Sequence, residues 1–191
     1  MPLHTFETNT KGIWNICEAV RQSERKTVIF QASTSEMFGA TCPKVLNEKS
    51  PFNPVSPYGV SKVSAYYICK YYRESFGLKI VTAISFNHEG PYRHELFVTR
   101  KLSIAAAKGQ FPVNFGNLNA IRDWGHVLDF CRAFHKMVEN PKEFCYVVAT
   151  GKTATVREFA KEVFEQAGYK NLKWQGEGLK EKLFSDSKIL L

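Results

Sequence analysis

The sequence predicts an α/β protein with a parallel sheet and a second, less regular lobe after about residue 87. One observation predicts this fold class, and a second indicates that the chain is globular. Short apolar, β-branched runs alternate with segments of helical periodicity in a strand–helix–strand order, which is typical of parallel βαβ units. The chain has 191 residues, of which 44% are hydrophobic and 23% charged, as in ordinary globular proteins.

The first elements follow from periodicity. Residues 9–23 predict a helix, because Ile13, Ile16 and Val20 recur on one stripe. Residues 27–32 (TVIFQA) form a β-branched apolar run, which is typical of a strand covered on both faces. A loop rich in Pro, Asn and Ser is predicted from about Gly39 to Pro57.

The next helix has clear start and stop signals. Ser56 is a good N-cap and Pro57 suits the first helical position, whereas Gly77 is a typical C-terminal breaker. The helix is therefore predicted over 57–76. Residues 79–86 (KIVTAISF) predict the second strand, and the intervening crossover is expected to be right-handed.

The chain after residue 87 is more polar and aromatic. Its predicted elements are a helix from about Phe97, strands at 112–115 and 146–149, helices at 127–138 and 156–167, and the start of an apolar strand within 185–191. We expect residues 1–87 and 125–140 to form one domain, and residues 88–124 and 141–191 to form the second lobe.

Charge and cysteine content narrow the function classes. The net charge is +8, which is compatible with an anionic small molecule as ligand. Because the basic residues are scattered along the sequence, a nucleic-acid partner is the least supported class of partner. Five cysteines show no Cys-x-x-Cys spacing, which predicts neither a metal site nor a disulfide framework. Without a signal-peptide pattern or an apolar run of about 18 residues, the sequence predicts a cytoplasmic protein with no membrane partner.

The strongest chemical pattern combines Tyr58 and Lys62 with the Ser33–Glu36 segment. The i,i+4 spacing brings Lys62 alongside Tyr58, and a neighbouring ammonium group lowers a phenol pKa. The segment Ser-Thr-Ser-Glu directly follows a predicted strand, at the edge where open α/β sheets bind ligands. Because Tyr-x-x-x-Lys alone is common in helices, the ordered combination with this segment is what predicts a catalytic site.

Several segments in succession resemble one family. They are QASTSEMFG, SPYGVSKVSAYY, ISFNHEGP, FVTRK and RDWGH, and they cover nearly the whole chain. They look like the extended short-chain dehydrogenase/reductase superfamily and, within it, most like the GDP-mannose 4,6-dehydratase family. The resemblance implies a partial doubly wound, Rossmann-like sheet that binds NADP and a smaller lobe that binds the nucleotide sugar. The implied reaction is a lyase reaction by internal redox, from GDP-mannose to GDP-4-keto-6-deoxymannose on the way to GDP-fucose.

The resemblance also implies the catalytic roles. Tyr58 would take the proton of the 4-hydroxyl, while Lys62 would lower the Tyr58 pKa and hold the nicotinamide ribose. Thr34 would hydrogen-bond O4. Glu36 would remove the C5 proton and then protonate the departing 6-hydroxyl.

The same resemblance implies the binding residues. Ser33, Tyr58, Lys62, His88 and Arg93 would contact the cofactor. The nucleotide sugar would be bound by Asn87, Lys101 and Arg122, since Arg forks and Lys ammonium groups suit a diphosphate.

The sequence departs from the family at several places. The Gly-rich turn for the cofactor pyrophosphate and the Arg-Pro-x-Glu segment do not occur, and Gly90, Tyr92 and His94 replace family residues. We therefore expect the chain to be part of a larger fold.

Three functional interpretations stay open. The chain is a GDP-mannose dehydratase, another epimerase, reductase or dehydratase of the superfamily, or a non-catalytic fragment of such an enzyme. The expected partners are a nucleotide sugar and either a second copy in a homo-oligomer or a complementary fragment.

Overall fold

A computed structural model describes residues 1–23, 25–39 and 45–191, apart from the side chain of residue 179. Cys42 and part of the predicted loop at 39–57 lie outside the described residues. The chain divides into two compact units. The first comprises Met1–His88 and Val127–Ala149, and the second comprises Glu89–His126 and Thr150–Leu191.

The described chain contains five α-helices, nine strands and two 3-10 turns. The helices are α1 (Pro2–Gln22), α2 (Pro57–Phe76), α3 (Val98–Lys108), α4 (Val127–Glu139) and α5 (Val156–Gln166). The strands are β1 (Val28–Thr34), β2 (Lys79–Ser85), β3 (Asn87–Glu89), β4 (Ile121–His126), β5 (Cys145–Val148), β6 (Thr153–Thr155), β7 (Leu172–Gln175), β8 (Lys182–Ser185) and β9 (Lys188–Ile189). The 3-10 turns are Ser35–Met37 and Gly178–Lys180.

The first unit contains a parallel sheet in the order β1-β2-β5. Ile29 and its register partner Ile80 pack with α1 and α2 on one face. Val81 packs on the opposite face, where Met137 of α4 covers the sheet. Both faces are therefore buried, which explains why these strands consist of continuous apolar runs.

The predicted boundaries of α2 are confirmed. The Ser56 hydroxyl accepts a hydrogen bond from the Gly59 N–H at 3.0 Å and caps the first turn. Gly77 ends the helix in the left-handed region at φ +67°, which disfavours any residue with a Cβ.

The second unit has a core between α3, α5 and a small antiparallel sheet in the order β7-β8-β9. Leu102, Phe164 and Leu183 are fully buried in that core. Strand β4 pairs antiparallel with β6. No helix in the described part of the chain combines the length and apolarity that crossing a bilayer requires.

Several sequence predictions need correction. Helix α1 begins at Pro2 rather than at residue 9, with the proline at its first turn. Residues 112–115 are not a strand; the Val113 N–H instead donates to the Leu190 carbonyl. The apolar end is a short hairpin, because β8 turns back into β9. Residues 141–149 lie in the first unit, since β5 pairs with β2.

Candidate active site

The carboxyl end of β1 and the first turn of α2 form one polar site in the first unit. The 3-10 turn Ser35–Met37 follows β1 directly and packs against α2. A Cβ added at Gly59 would lie only 2.8 Å from the Glu36 carbonyl oxygen, so the close approach requires glycine. This contact brings Glu36 next to the helix turn that carries Tyr58.

Thr34 connects the two halves of this site. Its hydroxyl oxygen accepts a hydrogen bond from the Glu36 N–H at 3.3 Å. The same hydroxyl is hydrogen-bonded to the Tyr58 phenol. Partial burial raises the pKa of Tyr58 above its usual value, the hydrogen bond with Thr34 lowers it, and the negative charge of Glu36 raises it.

Lys62 lies beside Tyr58 but is engaged with the strand. Its Nζ donates to the Ala32 carbonyl at 3.0 Å and lies 5.7 Å from the centroid of the Tyr58 ring. Burial lowers the pKa of Lys62. The expectation that Lys62 lowers the Tyr58 pKa is not met in this structure, because burial of the phenol dominates and the ammonium group is bound to a carbonyl.

Two further residues support this helix turn and were not found by sequence reasoning. The Asn9 side chain on α1 donates to the Ser61 hydroxyl at 2.9 Å. Ser61 is fully buried and donates in turn to the Tyr58 carbonyl at 2.7 Å. The sequence shows that each helix carries a polar residue here. It contains no signal that Asn9 and Ser61, which are 52 residues apart, are in contact.

The carboxyl ends of β1 and β2 offer unsatisfied hydroxyls. Ser33 and Ser85 are 6% and 7% exposed, and neither hydroxyl has a hydrogen-bond partner within the described residues. Buried polar atoms are normally hydrogen-bonded, so such hydroxyls indicate a ligand or water. Together with Thr34, the register neighbour of Ser85, they fit a polar cofactor at the carboxyl edge of the sheet.

His88 also belongs to the first unit. Its Nδ1 lies 2.9 Å from the Phe86 carbonyl, which can only accept, so Nδ1 carries the proton. The ring stacks on Phe130 at 4.7 Å and meets the edge of Phe134 at 6.1 Å. The neighbouring Asn87 is half-buried.

The remaining predicted binding residues lie in the second unit. Arg93 forms an ion pair with Glu89 at 3.2 Å. The Lys101 Nζ donates to the Asn114 carbonyl at 2.7 Å and lies 4.8 Å from the Phe115 ring centroid. Arg122 is exposed, and its Nη1 donates to the Ile121 carbonyl at 2.8 Å.

The structure therefore brings together Thr34, Glu36, Tyr58 and Lys62 in one unit, whereas Arg93, Lys101 and Arg122 belong to the other. Across the ranges that the structure describes, no group of three or more His, Cys, Asp or Glu side chains could hold a metal ion.

A parallel sheet covered on both faces, with Thr, Glu, Tyr and Lys at its carboxyl edge, defines the class of extended short-chain dehydrogenases/reductases. A solved structure of dTDP-glucose 4,6-dehydratase from Bacillus anthracis in complex with NAD is similar, with a TM-score of 0.80 and 26% identity. The similarity covers 85% of this chain and 53% of that one.

The particular family follows from sequence comparison. A family model described as GDP-mannose 4,6 dehydratase matches residues 1–189. The GDP-mannose 4,6-dehydratase of Sinorhizobium fredii is 41% identical over 187 residues, covering 95% of this chain and 53% of that protein. The enzyme of the same name from Yersinia enterocolitica is 40% identical over 186 residues, covering 94% and 50%. The chain belongs to the GDP-mannose 4,6-dehydratase family, and it spans about half the length of the curated relatives it matches.

Proposed function

We propose that the chain carries the catalytic residues for converting GDP-mannose to GDP-4-keto-6-deoxymannose. The observation that carries the proposal is the cluster of Thr34, Glu36 and Tyr58, with Lys62 one helical turn from the phenol. A carboxylate is the discriminating group, because an epimerase that reacts only at C4 needs no base for C5.

The reaction needs a nicotinamide cofactor, which we propose to be NADP. When bound, it would supply the hydride acceptor for C4 and the hydride donor for C6. Ser33, Tyr58 and Lys62 would hold it in the first unit, supported by the unsatisfied buried Ser33 hydroxyl and by the ammonium group of Lys62. His88, with Nε2 as the ring nitrogen not bound to Phe86, and Arg93 are the other proposed contacts.

The proton transfers balance over the reaction, because the proton that Tyr58 takes from the 4-hydroxyl equals the proton that C5 must regain when hydride returns at C6. Tyr58 takes the proton of the 4-hydroxyl, for which its phenol must ionise although burial raises its pKa, and Thr34 donates a hydrogen bond to O4, which stabilises the developing ketone. The ketone acidifies C5–H, Glu36 removes that proton, and the resulting carboxylic acid protonates the departing 6-hydroxyl as water. Asn87, Lys101 and Arg122 are the proposed contacts of the nucleotide sugar, with the two cations on its diphosphate.

The test compares Tyr58→Phe with Glu36→Gln, by mass spectrometry of the purified chain incubated with GDP-mannose and NADP. We expect Tyr58→Phe to abolish oxidation at C4. We expect Glu36→Gln to permit formation of the 4-keto sugar but to stop loss of water. Tyr67→Phe is the matched control, because Tyr67 lies on the same helix and is 55% exposed.

Equal residual dehydration in both catalytic variants would refute the assigned roles. Turnover of a different nucleotide sugar, with GDP-mannose inert, would favour another enzyme of the superfamily. Absence of any turnover by the unmodified chain would favour the non-catalytic reading.

Other sequence expectations stay predictions. A homo-oligomer or a complex with a complementary fragment is testable by sedimentation velocity. A cytoplasmic location also stays an expectation from the sequence and is testable by fractionation.

A further inference from the structure

Strand β4 of the second unit carries a buried carboxylate, that of Asp123, next to the exposed Arg122. Asp123 is 4% exposed, and its carboxylate accepts hydrogen bonds from a turn that precedes β6. The donors are the Thr150 N–H at 3.0 and 3.1 Å from the two oxygens, the Thr150 hydroxyl at 2.9 Å and the Gly151 N–H at 2.8 Å. The sequence resemblance gave Arg122 a role at the diphosphate, but it gave Asp123 none.

The chemistry of these donors explains the carboxylate. All of them are neutral N–H or O–H groups, and an ionised carboxylate is a side chain that only accepts hydrogen bonds. Hydrogen bonds to an ionised group are roughly twice as strong as those between neutral groups. Asparagine has a single oxygen and would direct an NH₂ group towards the N–H groups of the turn. The turn at Thr150 therefore requires an aspartate at position 123.

These side-chain bonds extend a short strand pairing. Strand β4 pairs antiparallel with β6 over residues 121–123, and Asp123 faces Thr153 at the end of this ladder. Thr150 and Gly151 precede Thr153, so their bonds to Asp123 lie beyond the paired residues. Two-stranded pairs are marginally stable by themselves. The carboxylate therefore fixes the register of β4 against the turn before β6.

The register of β4 decides where Arg122 points. Successive side chains of a strand point to opposite faces, so a slip of one residue would move Arg122 from the exposed face to the face on which Asp123 is buried. On the other side of Arg122, the Val156 N–H donates to the Ala120 carbonyl at 3.0 Å. Arg122 thus lies between a backbone anchor and the anchor that Asp123 provides.

We propose that Asp123 is a positioning residue, which directs Arg122 towards the diphosphate of the nucleotide sugar by fixing the register of β4 against the turn at Thr150. The ligand of Arg122 in this proposal rests on the proposed function. Asp123 itself touches no ligand and acts through Arg122, so its effect on binding should disappear when the guanidinium group is removed.

The test is a double-mutant cycle, measured by isothermal titration calorimetry of the intact chain with GDP at low salt. We expect Arg122→Gln and Asp123→Asn each to weaken GDP binding by about tenfold, as for loss of a charge-assisted hydrogen bond. The double variant should bind GDP no more weakly than Arg122→Gln alone. A residue that merely stabilises the unit would lower the affinity by the same factor with or without Arg122.

A second pair of variants changes the turn rather than the carboxylate. Thr150→Val removes the hydroxyl donor and should weaken GDP binding by about fivefold, whereas Thr150→Ser keeps the hydroxyl and should restore the affinity. Ser185→Ala is the control for loss of a buried hydrogen bond in the same unit. The Ser185 hydroxyl donates to the Lys170 carbonyl at 2.8 Å, away from β4, so this variant should keep the GDP affinity of the unmodified chain.

Unchanged GDP affinity of Asp123→Asn, an equal loss with and without Arg122, or no GDP binding by the unmodified chain overturns the proposal. If Asp123→Asn does not fold, as judged by circular dichroism, unchanged affinity of Thr150→Val overturns it. These titrations need no turnover. Absence of dehydration with the coupling intact would therefore refute only the proposed reaction, and dehydration without the coupling would refute only the role of Asp123.

Discussion

Ser61→Ala removes the link between α1 and the catalytic turn of α2. The Ser61 hydroxyl makes two hydrogen bonds in a fully buried position, one from Asn9 at 2.9 Å and one to the Tyr58 carbonyl at 2.7 Å. Each such bond contributes about 1 kcal/mol net, so their loss should destabilise the protein by about 2 kcal/mol. Alanine recovers roughly 0.5 kcal/mol of this through its higher helix propensity.

Ser64→Ala supplies the matched control for that propensity. Ser64 lies on the same helix, but its hydroxyl only donates to the Val60 carbonyl one turn earlier, at 3.2 Å. The difference in free energy of unfolding between the two variants, measured by urea denaturation, should therefore be about 2 kcal/mol. In a double-mutant cycle, Asn9→Ala and Ser61→Ala should couple by about 0.5 kcal/mol or more. Equal stabilities of the two serine variants would refute the argument.

Three further predictions concern other elements. Thr155→Ala should destabilise the protein by about 1 kcal/mol in urea unfolding, because Thr155 and Glu158 form a capping box at the start of α5. Asp123→Asn should cost about 2 kcal/mol by the same measurement, because this buried carboxylate accepts hydrogen bonds from three donors, the N–H and hydroxyl of Thr150 and the N–H of Gly151. An unchanged urea midpoint in either variant contradicts its prediction.

The third concerns acid stability. Hydrogen bonds from Arg21 and Tyr72 lower the pKa of Glu18 to about 2, so its stabilisation is present above the unfolded pKa of about 4.5 and disappears as the pH falls towards 2. Tyr72→Phe removes one of these hydrogen-bond donors. The urea midpoint of this variant should therefore decrease less over that pH range than the midpoint of the unmodified protein. A larger decrease of the urea midpoint in Tyr72→Phe would contradict the prediction.

The catalytic helix could be predicted because its signals are local. Ser56, Pro57 and Gly77 mark its ends, and the i,i+4 spacing of Tyr58 and Lys62 fixes their shared face. The binding partner of Lys62 could not be predicted, because a strand carbonyl such as that of Ala32 has no sequence signature. The prediction that the Tyr58 pKa is lowered was also wrong, because the direction of this shift depends on burial rather than on the spacing to Lys62.

The missed strands show a different limit of the sequence. Strand β4 exposes Ile121 and buries Asp123, the reverse of the pattern that identifies a half-buried strand. The carboxylate is buried because backbone N–H groups of a turn more than 25 residues later bind it. Short strands such as β7 depend on pairing with β8 rather than on their own propensity.

Gly59 shows how the fold gives up local stability for site geometry. Glycine within a helix is less favourable than alanine by about 1 kcal/mol, yet here it occupies the first turn of α2. A Cβ at that position would lie 2.8 Å from the Glu36 carbonyl and 3.0 Å from the Pro54 Cβ, so the turn after β1 would have to move away. Such a movement would separate Glu36 from Tyr58, the two groups whose proposed proton transfers act on adjacent carbons of one sugar. The glycine is therefore better explained by the approach of these two groups than by the helix that contains it.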